Sequence, residues 1–440
     1  LRMVRLAALC LVLGLARAMA EDQPPLIIPK DGMVLKHSVR LVPGWYKLPN
    51  GISIGSDGVA LDLNGATLDG GSPSFDVKNM TVGVSASGVQ DFALFNGSVT
   101  GYFYGVSLKD VSHGKIVGVN SSRNWVDPLS LGPKAPWLNI FSDIRSPDTT
   151  NFGGGILMVH ASDISVRDSL FAFQENGVDC FWCSRVQISQ NDCSNNTGWG
   201  VRLYSSTHNL VSENRCDSCN RANLGDSAGV LLACSSSDNV LENNQARYSG
   251  DGFYLTWTPP NQPQPLCCSN DRNVIRGNDL SYAGANALEV DFSVGSVIEN
   301  NVVNGSNYGM WLGYSHGDGL VRNNVIGHNR IAGIAIDHGQ SLNISHNVFV
   351  SNGNEDVILW SDLQDHYPVE NFTCLAGYDH TPSTGYVISS NAFHRTDKSF
   401  GLLLENTTDT VVSNNLFDVG GGACDTCTSS TWAGNHFNTT

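Results

Sequence analysis

Between Gly177 and Leu359 the apolar positions of the chain fall into one short phrase: Gly or a substitute, then apolar, any residue, apolar. It occurs as Gly177-Val-Asp-Cys180, Gly200-Val-Arg-Leu203, Gly229-Val-Leu-Leu232, Gly252-Phe-Tyr-Leu255, Ala287-Leu-Glu-Val290, Gly309-Met-Trp-Leu312, Gly333-Ile-Ala-Ile336 and Asp356-Val-Ile-Leu359. The steps between first residues are 23, 29, 23, 35, 22, 24 and 23, a period typical of solenoids. Within each period the apolar runs are short and β-type, cut by Gly, Asn, Ser and Asp, and none carries a helical stripe. Each period is therefore expected to form one coil of parallel strands. The first and third residues after the opening position are apolar in all eight coils, which predicts that they point inward and stack along the axis. The second and fourth residues must then point outward.

A companion triplet, Asn followed by any residue and then mostly an apolar one, begins at Asn191, Asn214, Asn244, Asn278, Asn301, Asn324 and Asn347. Asn391, Asn415 and Asn435 extend the series. Side-chain amides at one recurrent turn position can hydrogen-bond from coil to coil. With the early turn Leu61-Asp-Leu-Asn-Gly-Ala-Thr-Leu-Asp-Gly70, the pattern resembles the right-handed parallel β-helix repeat family, the pectin-lyase-like superfamily, over residues 51–440. The resemblance implies an all-β fold, a single-stranded right-handed parallel β-helix (solenoid) with long loop insertions. That superfamily includes hydrolases, lyases, epimerases and adhesins, so the reaction has to come from particular residues.

Residues 1–20 read as a secretory signal, with Arg2 and Arg5 before an apolar run from Leu6 to Leu15 and small residues at Ala18 and Ala20. Residues 21–50 are then an N-terminal cap segment and 51–440 the β-helix, in a secreted, extracellular protein expected to be a monomer. Eleven cysteines follow Cys10, and an oxidising compartment favours disulfides over metal binding at Cys180-x-x-Cys183, Cys216-x-x-Cys219 and Cys424-x-x-Cys427. Cys193 and Cys216, at equivalent inward positions of successive coils, are expected to bridge, and Cys267 or Cys268 to pair with Cys374. Nine Asn-x-Ser/Thr sequons, among them Asn96, Asn120 and Asn304, would suit a glycoprotein. The net charge of −16 and the lack of a Lys/Arg cluster argue against nucleic acid or an anionic membrane as partner, and against a strongly anionic polymer unless cations mediate.

Four insertions interrupt the coils: Ser121–Phe152, Arg221–Ala228, Thr258–Arg272 and Asp362–Thr384. The last two follow equivalent strands and are expected to wall one face. The second outward column reads Asp179, Arg202, Leu231, Tyr254, Glu289, Trp311, Ala335 and Ile358. The fourth reads Phe181, Tyr204, Ala233, Thr256, Asp291, Gly313, Asp337 and Trp360. Aromatic rings pack on the apolar faces of sugars while polar groups bond their hydroxyls, so the expected ligand is a polysaccharide, with Arg202, Tyr204, Tyr254, Trp257, Trp311 and Tyr314 as binding residues. The competing expectation is that some of these rings are covered by the loops as a secondary core.

Glu289 and Asp291 share one strand face, and Asp291 and Asp337 stand two coils apart, about 9–10 Å, with Gly313 between them. That separation suits inverting glycoside hydrolysis, with Glu289 tuning the pair. His338 and His316 are candidates to orient a carboxylate or act as base. His316-Gly317 and His338-Gly339 resemble the His-Gly element of polygalacturonase-type hydrolases, although no Asn-Thr-Asp or Arg-Ile-Lys accompanies them. The hydrolase reading requires no metal or other cofactor. The alternative, a uronate lyase or C5-epimerase, would use Tyr254, Tyr314, His338 and Arg202 at the sugar, with Ca²⁺ on Glu289, Asp291 and Asp337. A third is a non-catalytic glycan-binding or adhesive rod.

Overall fold

The computed structural model describes residues 23–72, 80–146, 150–222, 227–256, 269–315, 317–361, 383–396 and 399–438. Among them there are only strands and turns, and every strand pairing is parallel. The eight phrases form β1 (Asn176–Phe181), β2 (Trp199–Tyr204), β3 (Ala228–Ala233), β4 (Asp251–Thr256), β5 (Asn286–Val290), β6 (Tyr308–Trp311), β7 (Ala332–Asp337) and β8 (Glu355–Trp360). They are consecutive neighbours in a 15-stranded parallel sheet. An 18-stranded sheet and a 6-stranded sheet complete the walls. One coil therefore runs from β5 through Val297–Glu299 and Val302–Asn304 to β6.

The predicted parity holds. Val178 and Cys180, Val201 and Leu203, and their equivalents through Val357 and Leu359 lie in one continuous interior cluster. Full burial of a Val, Leu, Ile or Phe contributes about 1.5–3 kcal/mol, and the stacking repeats this at every coil. Register alignment places Asp179, Arg202, Leu231 and Tyr254 in one outward row, continued by Glu289, Trp311, Ala335 and Ile358. The expected Asn row is a continuous chain of amides. Asn278 Nδ2 donates to Asn301 Oδ1 at 3.0 Å, Asn301 to Asn324 at 3.0 Å, and the series runs from Asn191 to Asn435. A second such row, Asn209, Asn239 and Asn273, stands at another turn. These amides satisfy buried backbone groups that the turns would otherwise orphan.

Cys424 and Cys427 are bridged, and Cys234 is also disulfide-bonded. The expected Cys193–Cys216 bridge is absent: both are free buried thiols, as are Cys180, Cys183 and Cys219. Parallel stacking brings Cys193 and Cys216 into hydrogen-bonding contact with similarly directed side chains, whereas a disulfide needs the two Cβ–S vectors turned toward each other. The signal segment, Cys10, Cys267, Cys268 and Cys374 lie outside the described residues, as does most of the two expected wall insertions.

The insertion after Asn120 shapes the outward face. Its Trp125, Leu138, Ile140 and Phe152 pack with Phe181, Trp199, Tyr204, Leu231 and Tyr254 in a second apolar cluster outside the coil. Arg221 pins it down, pairing with Asp127 at 3.2 Å and with Glu175, all three buried. A loop that looked polar in sequence thus carries enough apolar side chains to cap part of a sheet.

Candidate active site

Which outward residues can meet a ligand follows from that cap. Every outward side chain of β1 to β4 is buried, including Phe181, Leu231, Ala233, Asp251 and Thr256. Arg202 is 0% exposed: its Nε donates to Asp179 Oδ1 at 2.9 Å, and its guanidinium lies against Phe152, Phe181 and Trp199. Tyr104 Oη donates to the same aspartate at 2.6 Å. Tyr204 is buried too, and its hydroxyl donates to the Phe141 carbonyl at 3.3 Å. Arg202 and Tyr204 therefore belong to the capped core and not to an open sugar-binding floor. A charged residue on a strand's outward side reads as surface in sequence, and only the capping loop reverses that. Tyr254 sits at the edge of the same cluster, buried, in register with Glu289.

The face opens at β5. Asn286, Glu289, Asp291, Tyr308, Trp311, Asp337, Glu355 and Trp360 are all partly exposed. Glu289 and Asp291 extend from alternate positions of one strand and, contrary to a simple parallel projection, lean together. Their carboxyl groups are within hydrogen-bonding contact, which requires a proton between them. Burial holds Asp291 well above the usual carboxylate range, and the Glu289 charge, the Glu289 hydrogen bond and the Asp251 charge push it the same way. Hydrogen bonding from the Trp311 indole opposes them. Asn286 Nδ2 holds Glu289 from its other side, while Asp251 Oδ1 accepts from the Asn286 backbone N–H at 2.7 Å.

The space beside Gly313, which lacks a side chain, is occupied. A Cβ there would stand 2.9 Å from Asp291 Oδ1 and 3.1 Å from Trp311 Nε1, so the space is filled by the carboxylate and the indole that bonds it. On the far side of Gly313 stands Asp337, whose Oδ1 is 2.5 Å from His338 Nδ1. The backbone hydrogen bonds Phe292 to Gly313 and Tyr314 to Asp337 establish the order Asp291, Gly313, Asp337 along the axis. Two strand spacings separate the carboxyl-bearing positions, about 9–10 Å.

Phe292, Tyr314 and His338 occupy the turn beside this row, each at positive φ, with rings stacked at 4.7 and 4.9 Å. Trp311 meets Tyr308 and Trp360 edge to face at 5.2 and 5.5 Å. The structure thus brings together Glu289, Asp291, Asp337, His338, Trp311 and Tyr314. Trp257 and His316 lie outside the described residues. Asp251, Asn286 and Tyr308 were missed. They stand immediately before each phrase, at positions that simple alternation would assign to the interior, so the parity rule gave no signal for them.

Two family models match the chain: "Periplasmic copper-binding protein (NosD)" over residues 141–264 and "Right handed beta helix region" over 256–374. Among solved structures, the chain is similar to the A-module of the Azotobacter vinelandii mannuronan C-5 epimerase AlgE6. Identity is 13%, coverage 92% of this chain and 91% of that one, and the TM-score 0.51. It is also similar to the Dettilon tailspike protein gp208, with 13% identity, 89% and 62% coverage, and a TM-score of 0.49. No curated protein matches in sequence. At this identity the likeness to the epimerase module speaks to the fold alone. Copper chemistry does not fit the described residues. The five free thiols within the first matched segment are buried in the coil, and no three His, Cys, Asp or Glu side chains are grouped to hold a metal ion.

Proposed function

We propose that this chain, which folds as a right-handed parallel β-helix, is an exported polysaccharide hydrolase using Asp291 and Asp337 as an inverting carboxyl pair. The observation that carries the reading is the closely placed Glu289 and Asp291 carboxyl pair, with Asp291 raised first by burial and then by Glu289, set among aromatic rings where the outward face opens. Asp291 keeps its proton at a pH where an ordinary carboxyl has lost it, so it acts as general acid on the glycosidic oxygen. Asp337, held by His338 Nδ1, accepts a proton from the water that attacks the anomeric carbon from the opposite face. The two positions stand two strand spacings apart, about 9–10 Å at the backbone, and an inverting pair needs room for that water between its carboxyl groups. Glu289 and Asp291 touch, which leaves no space for a sugar between them and disfavours a retaining pair. Trp311 orients the acid and, with Tyr308 and Trp360, offers ring edges and faces to the sugar.

Export rests on the apolar run of residues 6–15. Among the described residues, no helix is long and apolar enough to cross a membrane.

A second reading, elimination or epimerisation at a uronate, draws on Tyr314 and His338 stacked beside Asp337. Against it stands the charge of the floor. Among the described residues, no Lys or Arg occupies an outward position of β5 to β8, while Glu289, Asp291, Asp337 and Glu355 do. The test is incubation with neutral and uronate glycans, with and without EDTA, following reducing ends and the ultraviolet absorbance of unsaturated uronates. New reducing ends without the chromophore support hydrolysis. An EDTA-sensitive chromophore supports a lyase, and inertness across the panel supports a binding rod.

A further inference from the structure

The open face is closed at one end, and the carboxyl groups stand at that end. From β1 to β4 every outward side chain is buried, ending with Asp251, Tyr254 and Thr256. One strand later, Asn286, Glu289 and Asp291 are partly exposed. On the other side the face stays open beyond β8: Leu403 and Glu405 of the next strand are partly exposed, and Asp425 of the one after is exposed. The floor is therefore asymmetric along the axis, with a blocked end near the acid and a run of open coils beyond the base.

We propose that the protein removes short units from the ends of a neutral glycan, an inference that rests on the hydrolase reading above. A glycan laid along the axis has its scissile bond on the open side of the row, reached by Asp291 from one side and Asp337 from the other. From the last buried strand, β4, to the coil of Gly313 is two strand spacings, about 9–10 Å, room for about one or two sugar rings. In the opposite direction the chain passes over β7 and β8, beside Trp360, and on toward the later coils, where Leu403, Glu405 and Asp425 are at least partly exposed among the described residues. A polymer threaded through from both sides would have to displace the packed cluster of Tyr254, Leu231 and Tyr204. Neutrality is inferred from Glu289, Asp337 and Glu355 on this face and from the lack, among the described residues, of any Lys or Arg at an outward position of β5 to β8.

The test uses the full-length protein and carboxyl-free glucans, mannan, galactan and xylan, as polymers and as oligosaccharides labelled at the reducing end. Expected early products are mono- and disaccharides, with polymer viscosity falling slowly relative to the reducing ends released. A ladder of intermediate lengths with a rapid viscosity drop overturns chain-end action while leaving hydrolysis standing. Release from uronate polymers alone overturns the neutral-glycan assignment. The absence of new reducing ends from every glycan overturns the hydrolase reading and this inference with it.

Discussion

Replacing Asp291 with Asn separates the acid's chemical role from its energetic burden, because the change is isosteric and removes only the ionisable group. In the unfolded chain this carboxyl titrates near an ordinary value of about 3.9. In the folded protein it is raised, first by burial and then by Glu289. The folded state therefore binds this proton more tightly than the unfolded state. The associated stability is fully present below about pH 4 and is lost as pH rises through the folded pKa. Each unit of elevation costs about 1.4 kcal/mol once the pH exceeds it. Asp291→Asn is therefore expected to gain stability relative to the parent on going from pH 4 to pH 7. The amide can still accept from the Trp311 indole and can donate to Glu289, so the local packing survives. Loss of a general acid lowers turnover by about 10²–10⁴-fold. Urea midpoints at both pH values, with reducing-end release at pH 7, give the readout. A variant less stable than the parent at pH 7, or one whose stability difference is the same at both pH values, would refute the raised acid.

Gly313→Ala puts a methyl group 2.9 Å from Asp291 Oδ1 and 3.1 Å from Trp311 Nε1. Both are side-chain tips that can move, so stability should stay within about 1 kcal/mol while the acid is displaced and kcat falls about 100-fold; unchanged kcat would show that the carboxylate's position does not matter. Arg202→Met leaves Asp179 buried without its cation and should cost about 3–5 kcal/mol in urea unfolding, with KM unaltered. A raised KM at unchanged stability would instead return Arg202 to the binding floor. Asn301→Leu breaks one link of the amide row and should cost about 1–3 kcal/mol, since the backbone N–H of Asn278 and the Ile275 carbonyl lose their partner. Equal stability of parent and variant would show that the row contributes nothing.

The coil count, the inward stack and the Asn row were legible because a solenoid writes the same physical requirement at every turn. Gly200, Gly252 and Gly309 open strands where a Cβ would strike the backbone of the next coil at 2.2 to 2.5 Å, so those glycines mark close approach directly. What was not legible depends on contacts far apart in sequence. Nothing local to Arg202 distinguishes it from a surface arginine; its burial comes from Phe152 and the loop leading to it, about fifty residues earlier. Glu289 and Asp291 share a strand face in sequence, but whether they lean together depends on side-chain torsions, set here by Asn286 and Trp311 holding the two from either side. Asp251, Asn286 and Tyr308 were not legible either, because strict alternation from the inward Phe253, Leu288 and Met310 assigns the residue before each phrase to the interior.

The central claim is that Asp291 and Asp337 cleave a glycan across Gly313. The most direct test is the double variant Asp291→Asn/Asp337→Asn, assayed for reducing ends on whichever glycan the parent cleaves, with circular dichroism to verify the β-helix. The account predicts a folded protein with no measurable release above buffer; a folded double variant that retains the parent's rate would contradict it.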